Sequence, residues 1–265
     1  MTKSITIDTC EIVYEDSGKG GVIVFLHGFC EDRSMWKIEA INVLRSTNRL
    51  ILIDLPGFGE SKTYKEATIE WYASVVKCIL DANGIQGCSI VGHSMGGYIG
   101  IALAELFPQY LKSLILLNSH VFSDSDEKKL SRKKVAEFVR KHGSSLFVKD
   151  LIPGLFWEEN VNVFNDQIIK LIERAEKYDA EGIASASLAM GIRHDREQIL
   201  HNLKIPVLGI FGKHDTVVPV NTAVAMMAPI QTAVCVVQEK AGHMSWMEDS
   251  NTAQIIQDFV QSYHL

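Results

Sequence analysis

The stretch Ser89-Ile90-Val91-Gly92-His93-Ser94-Met95-Gly96-Gly97 sets a G-x-S-x-G pattern between a short apolar run and a longer apolar segment, Met95–Phe107. The run before it is too short for a helix and reads as a buried strand. The segment after it is apolar almost all round and stops at Pro108, which reads as a buried helix. A chain passing from strand to helix within so few residues must turn sharply, which holds Ser94 in a strained backbone conformation. Gly92 and Gly96 flank it because side chains there would collide with the neighbouring strand and helix. The Ser94 hydroxyl is then lifted into the open, at the positive end of the helix that begins with Met95. A bare G-x-S-x-G occurs often by chance; its weight here comes from the strand and helix around it.

Outward from this turn, short apolar runs alternate with helical patterns, the signature of a mainly parallel sheet covered by helices. Alternation over Ser4–Tyr14 suggests a half-exposed antiparallel edge. Val22–Leu26, Leu50–Ile53, Ser89–Val91, Leu114–Leu117, Val207–Phe211 and Ala233–Val237 read as buried central strands. Tyr72, Val75, Val76, Ile79 and Leu80 form one apolar helical stripe ended by Gly84, and Ile255, Ile256, Phe259 and Val260 form another.

The rhythm breaks once. After the strand ending near Asn118 the next begins only at Val207, much farther than a usual crossover. The insert carries its own helical patterns: Leu130, Phe138 and Val139, then Ile168, Leu171, Ile172 and Ala175, then Ile183 to Ile192. We therefore expect a core of residues 1–120 and 203–265 and a helical cap, 121–202, over the C-terminal ends of the strands. Its basic run (Lys128, Lys129, Arg132, Lys133, Lys134) reads first as a solvated face balanced by Asp124, Asp126 and Glu127, and second as a surface for an anionic partner.

The 265 residues, 47% hydrophobic and 22% charged, suffice for a large core and exclude a disordered chain. A net charge of -6 argues against a general nucleic-acid binder. The first residues lack the apolar core of a signal peptide, and no apolar run reaches the ~18 residues of a membrane span. Cys10, Cys30, Cys78, Cys88 and Cys235 are odd in number and scattered, which suits free thiols in a reducing cytoplasm. Oligomeric state leaves no mark in the sequence.

A serine hydroxyl needs a base to take its proton. Of nine histidines, His243 lies in Glu239-Lys240-Ala241-Gly242-His243-Met244, after the last strand pattern and before the last helix. That loop reaches the same sheet edge as Ser94. Asp215, in Phe211-Gly212-Lys213-His214-Asp215, follows another strand and is the expected orienting carboxylate. The order Ser, Asp, His fits this topology. The oxyanion of an acyl-transfer transition state needs donors: the N–H of Met95 is one, and the N–H of Phe29, in His27-Gly28-Phe29, is the expected second.

With these motifs in hand, the chain resembles the α/β-hydrolase superfamily, specifically its capped carboxylesterase-like branch. The resemblance spans the H-G-F loop, the Asp54-Leu55-Pro56-Gly57-Phe58-Gly59-Glu60-Ser61 turn, the Gly92–Gly97 elbow, the G-x-x-D segment and the Ala241-Gly242-His243 loop. It implies an α/β-hydrolase fold with a helical cap inserted after the sixth strand. It also implies a Ser-Asp-His triad that cleaves the ester of a small-molecule substrate through an acyl-enzyme, without cofactor or metal. Dehalogenase and epoxide hydrolase relatives carry aspartate where this chain has Ser94, and the lipase-type H-G-G-G loop is absent. Carbon–carbon bond hydrolases, thioesterases, lactonases and aminopeptidases use the same triad, and a non-enzymatic ligand-binding member of the fold is the rival from another class.

Other residues invite plainer readings. Asp54 organises its Pro-Gly turn, His27 braces its loop and His93 is structural. His194 and His201 belong to the surface or the cap, and His214 is too close in sequence to Asp215 to serve as the base. His120, at the cap hinge, and Trp157 and Met190, in the cap with Leu155 and Phe156, are candidates for the substrate pocket. Cys30 reads as packing, and the Glu158-Glu159 pair as exposed. Gly57-x-Gly59 lacks the third glycine of a dinucleotide loop, and no H-E-x-x-H or Cys–His cluster suggests a metal.

Overall fold

The computed structural model describes residues 1–36 and 39–263; positions 37, 38, 264 and 265 of the expected core lie outside the described residues. Eight strands form one sheet: β1 (Thr2–Ile7), β2 (Cys10–Gly18), β3 (Gly21–Leu26), β4 (Asn48–Ile53), β5 (Cys88–His93), β6 (Leu111–Leu117), β7 (Val207–Gly212) and β8 (Ala233–Gln238). Their order is β1-β2-β4-β3-β5-β6-β7-β8. β2 runs antiparallel to β1 and to β4, and every other pairing is parallel.

Helices in chain order are α1 (Ile41–Arg45), α2 (Ile69–Ala82), α3 (Met95–Leu106), α4 (Asp126–His142), α5 (Ser145–Leu151), α6 (Asn165–Ala175), α7 (Ala180–Ile192), α8 (Glu197–Asn202), α9 (Val220–Met227), α10 (Ser245–Glu248) and α11 (Thr252–Tyr263). None of the described helices is long and apolar enough to cross a membrane. α2 begins where the Thr68 side chain accepts from the Trp71 N–H, and it ends at Asn83 before Gly84, whose φ of +64° suits glycine. Its apolar stripe, Tyr72 to Leu80, is buried against the sheet. β3, β4 and β5 lie in the middle, and Ile23 to Leu26 and Leu50 to Ile53 are fully buried because helices cover both faces.

Two expectations need correcting. β8 is an edge strand, not a central one: no described strand pairs beyond it, and Val234 and Cys235 are exposed. In α4 the buried face carries Ala136 and Val139, while Leu130 and Phe138 are exposed. Leu130 and Val139 are nine residues apart, two and a half turns, and so stand on opposite sides of the helix.

α4 to α8 fill the chain between β6 and β7. α4 packs on α7, which is rich in small residues. At its start Gly182 lies so close to Gly57 that a Cβ on Gly57, whose φ is +91°, would come within 2.8 Å of it. That contact seats the insert on the turn after β4. The buried Arg196, just before α8, pairs with Glu70 of α2 and Glu105 of α3.

Candidate active site

Ser94 sits between β5 and α3 with φ 49° and ψ −112°. The glycines around it are dictated by contact. A Cβ on Gly92 would meet the Gly96 carbonyl oxygen at 2.4 Å, and one on Gly96 would meet the Leu26 carbonyl oxygen of β3 at 2.1 Å. The turn is pinned by the Ser94 N–H, which donates to Leu117 O (3.0 Å), and by the Ser119 hydroxyl, which donates to Ser94 O (2.7 Å).

Asp215 follows β7 and His243 follows β8, and the two meet: His243 Nδ1 donates to Asp215 Oδ2 across 2.8 Å. The other carboxylate oxygen accepts from the Val217 and Val218 N–H groups, both at 2.8 Å. Burial opposes the Asp215 charge, yet the His243 ring and these hydrogen bonds hold its pKa below the usual carboxylate value. One partner lies outside the expected set. Asn118, with φ 45°, donates from Nδ2 to Asp215 Oδ2 and to Gly242 O, both at 3.0 Å.

Beneath the serine lies a second network. Glu31 Oε2 accepts from the Gly28 N–H (2.6 Å) and from His93 Nδ1 (2.9 Å), and His93 Nε2 donates to His243 O (2.8 Å). Both side chains are buried. Burial disfavours each charge, but mutual attraction prevails: Glu31 is held below, and His93 above, its ordinary range. The pair ties the loop after β3 to the loop after β8. Because Glu31 occupies the Gly28 N–H, the next amide in the loop is that of Phe29. The Met95 N–H opens α3, where first-turn amides have no intrahelical acceptor. His27 is buried; its Nε2 accepts from Leu55 N (2.9 Å) and its Nδ1 donates to Gly28 O (2.8 Å), bracing the same loop.

Ser94 and His243 border one cavity of about 120 Å³. The core contributes Phe29, Tyr98 and Val217 to its walls, and the insert contributes Leu151, Leu155 and Met190. The structure thus joins His243 to Asp215 and places Ser94 on the same cavity, with no hydrogen bond from the Ser94 hydroxyl to the imidazole among the described residues.

A family model described as alpha/beta hydrolase fold matches residues 21–250. The chain belongs to the alpha/beta hydrolase family. A thermophilic esterase from Thermogutta terrifontis, solved with malate bound, is similar at 32% identity with a TM-score of 0.95, and all of both chains is covered. A 2-hydroxy-6-oxononadienedioate/2-hydroxy-6-oxononatrienedioate hydrolase from Paraburkholderia phymatum is 26% identical over 265 residues, 93% of this chain and 90% of that protein. The dihydrolipoyllysine-residue acetyltransferase component of an acetoin cleaving system from Cupriavidus necator is 28% identical over 253 residues, 92% of this chain. This chain spans only 65% of that relative's length.

Within this alpha/beta hydrolase, two of the three expected pocket residues lie elsewhere. Met190 lines the cavity. His120 stands behind Tyr98, with Tyr98 Oη and His120 Nε2 3.3 Å apart, and it accepts from the Phe122 N–H; burial and the nearby Arg193 guanidinium push it down to about 4. Trp157 stacks on His214 at 4.1 Å between centroids, lining a separate outer cleft with Glu158 and Lys213. Leu155, named with Trp157 among the pocket candidates, lines the cavity with Met190. Asp54 accepts from the Arg33 guanidinium and from the N–H groups of Arg33 and Glu60, and so organises its turn. His194 is exposed beside Glu70 and Glu105, and all five cysteines are free thiols. Among the described residues no group of three His, Cys, Asp or Glu is placed to hold a metal ion.

The basic run divides. Lys129 pairs with Asp126, and with Lys133 it borders a separate groove. Lys128 borders the cavity of Ser94, and Arg132 stands between the two, bordering both the groove and that cavity. Periodicity in the sequence contains this split, because 128 and 132 are four apart and share a helix face, but nothing in it says what that face covers.

Proposed function

We propose that this chain is a serine hydrolase that cleaves a small carboxylic ester through an acyl-enzyme. Ser94 attacks the carbonyl carbon while His243 Nε2 takes its proton. The oxyanion is held by the N–H groups of Phe29 and Met95. His243 then protonates the departing alkoxide, and the C–O bond breaks to leave Ser94 acylated. A water, deprotonated by the same imidazole, attacks the acyl carbon, and the acid leaves as Ser94 regains its proton. Asp215 keeps the ring with Nδ1 protonated and stabilises the imidazolium. The insert, residues 121–202, acts as a cap that excludes bulk water and shapes the acyl pocket over the core of 1–120 and 203–265.

The observation that carries this reading is the 2.8 Å His243–Asp215 hydrogen bond, made beside the cavity that the imidazole shares with Ser94. Esterases among the similar proteins support it. The test is Ser94→Ala assayed on a short p-nitrophenyl ester, with fluorophosphonate labelling of the parent chain. Turnover should fall by about 10⁴–10⁶-fold and the label should sit on Ser94. Unchanged turnover, or no adduct on Ser94, overturns the reading.

A further inference from the structure

Two cations overlook the cavity of Ser94 and carry no partner that accounts for them. Lys128 and Arg132, one turn apart on α4, both line it. Arg132 gives only its Nε to Asp124, at 3.2 Å, and its two terminal nitrogens have no hydrogen-bond partner among the described residues. Its side chain is 15% exposed and its terminal nitrogens are not sealed from solvent, so they are open to a ligand. Asp124 is itself shared: its other oxygen accepts from Arg193, a side chain only 2% exposed. Thus one carboxylate serves two guanidiniums, and Lys128 beside them has no side-chain hydrogen bond or ion pair among the described residues. Three positive charges stand against one negative at this wall. Burial and the Arg132 charge lower the Lys128 pKa and outweigh the opposing pull of Asp124.

The opposite wall does not cancel them. Glu31 also borders the cavity, but its carboxylate is occupied by His93 and the Gly28 N–H. The free end of a guanidinium is a planar pair of donors that matches the two oxygens of a carboxylate, and an adjacent ammonium adds a point charge. The volume of about 120 Å³ holds only a few carbons besides; an apolar cavity of ~150 Å³ takes one benzene.

We propose that Lys128 and Arg132 form a subsite for a carboxylate on the substrate, so that the preferred substrates are esters of short dicarboxylic acids, with one acid esterified and the other free. This deepens the ester-hydrolase reading and rests on it for the identity of the bond, though not for the binding of the anion. Asp124 and Arg193 are positioning residues that hold Arg132 with its donor edge toward the cavity.

The test has two arms. In the first, kcat/KM is measured for monomethyl succinate and for methyl butyrate, its neutral counterpart. The parent chain should favour the half-ester by about tenfold or more, the scale of one charge-assisted hydrogen bond. That ratio should drop about tenfold in Lys128→Met and in Arg132→Gln, chiefly through KM, and stay at the parent value in Lys134→Met. In the second arm, succinate binding is measured by calorimetry on the parent chain and on both variants, and needs no turnover. Lys128, on the outer part of α4, tolerates substitution without loss of fold and keeps the test sharp if Arg132→Gln misfolds. Succinate binding that both variants weaken sustains the subsite even if no ester is turned over, in which case only the ester reading fails. A parent chain with no half-ester preference and no succinate binding, or folded variants that keep both, overturns the proposal.

Discussion

The backbone N–H of His243 donates to the carbonyl of Leu155 across 2.8 Å, so the loop that carries the imidazole is bonded directly to the helical insert. Glu248 completes the joint: one oxygen accepts from the Gly242 N–H (2.7 Å), and the other from the Trp157 N–H (2.8 Å) and Asn160 Nδ2 (3.0 Å). The insert is therefore anchored at the histidine. Glu248→Gln sets an amide N–H₂ against one of these donors. We expect kcat to fall by about tenfold with KM little changed, and the melting temperature to fall by several degrees, as charge-assisted hydrogen bonds are worth ~1.5–3 kcal/mol. Steady-state kinetics and calorimetry check this; a variant with parent kcat shows the joint to be irrelevant to catalysis.

Asn118 donates to Asp215 Oδ2, the same oxygen that accepts from His243 Nδ1. Asn118→Asp keeps the shape and the tolerance for a positive φ, but replaces a donor 3.0 Å from Asp215 Oδ2 with a second carboxyl. Two carboxylates that close cannot both ionise easily, so the pair binds a proton at higher pH. The acid limb of the kcat/KM profile should move up by about one pH unit, with activity at neutral pH reduced. An unmoved limb assigns Asn118 a purely structural part.

How much of this arrangement the sequence discloses depends on what each residue meets. Ser94, Asp215 and His243 are legible because each follows an apolar strand pattern, and strand ends in a parallel sheet converge on one edge. Asn118 also follows a strand, but an asparagine there carries no distinguishing pattern; only its φ of 45° and its two acceptors mark it. Glu31 and His93 are sixty-two residues apart, and their pairing depends on the register between β3 and β5, which periodicity leaves open. In the insert the helices were legible but their orientation was not. α4 bears apolar residues on two faces, and the face that is buried was decided by the small residues of α7. Trp157 and Leu155 are adjacent to the same short turn, yet only Leu155 faces the cavity.

The Glu31–His93 pair should leave a signature in stability against pH. Glu31 is depressed when folded, so its contribution is present above its unfolded value of about 4.5 and is lost as pH falls. His93 is raised when folded, so its contribution is full below about 6.5 and is lost as pH rises through the folded value. The pair is thus most stabilising between these limits. Glu31→Gln should lower the melting temperature most near pH 5.5, with a smaller deficit by pH 9. A deficit independent of pH would mean the pair is not ionised.

Gly96 and Gly84 offer a paired test of why the elbow needs glycine. A Cβ at Gly96 would stand 2.1 Å from the Leu26 carbonyl oxygen, whereas at Gly84, with φ +64°, it meets open space. Gly84→Ala should cost only the left-handed backbone penalty, ~1–2 kcal/mol, with kcat untouched. Gly96→Ala must push α3 off β3 and move the Ser94 hydroxyl and the Met95 N–H together. We expect a drop in kcat of at least ~100-fold, since a displacement of about 1 Å has that scale of effect. Equal behaviour of the two variants would remove the steric argument.

Cavity size limits the acyl chain. The space beside Ser94 is about 120 Å³, and Met190, itself 2% exposed, closes it from α7. A pocket this small should favour acetyl to butyryl esters and reject longer chains. Met190→Ala removes three heavy atoms from that wall. Two opposing consequences follow from the same vacancy. The fold loses buried contact and should be less stable by ~2–5 kcal/mol. The pocket gains room along the acyl chain, and each methylene that enters it is worth about 0.8 kcal/mol, close to fourfold in affinity. The optimum of kcat/KM across p-nitrophenyl esters should therefore shift toward hexanoate, with turnover of the acetate ester unchanged or reduced. Chain-length profiles of the two proteins, read beside their melting curves, decide it: an unshifted optimum in a folded Met190→Ala variant means the acyl chain leaves the cavity by another wall.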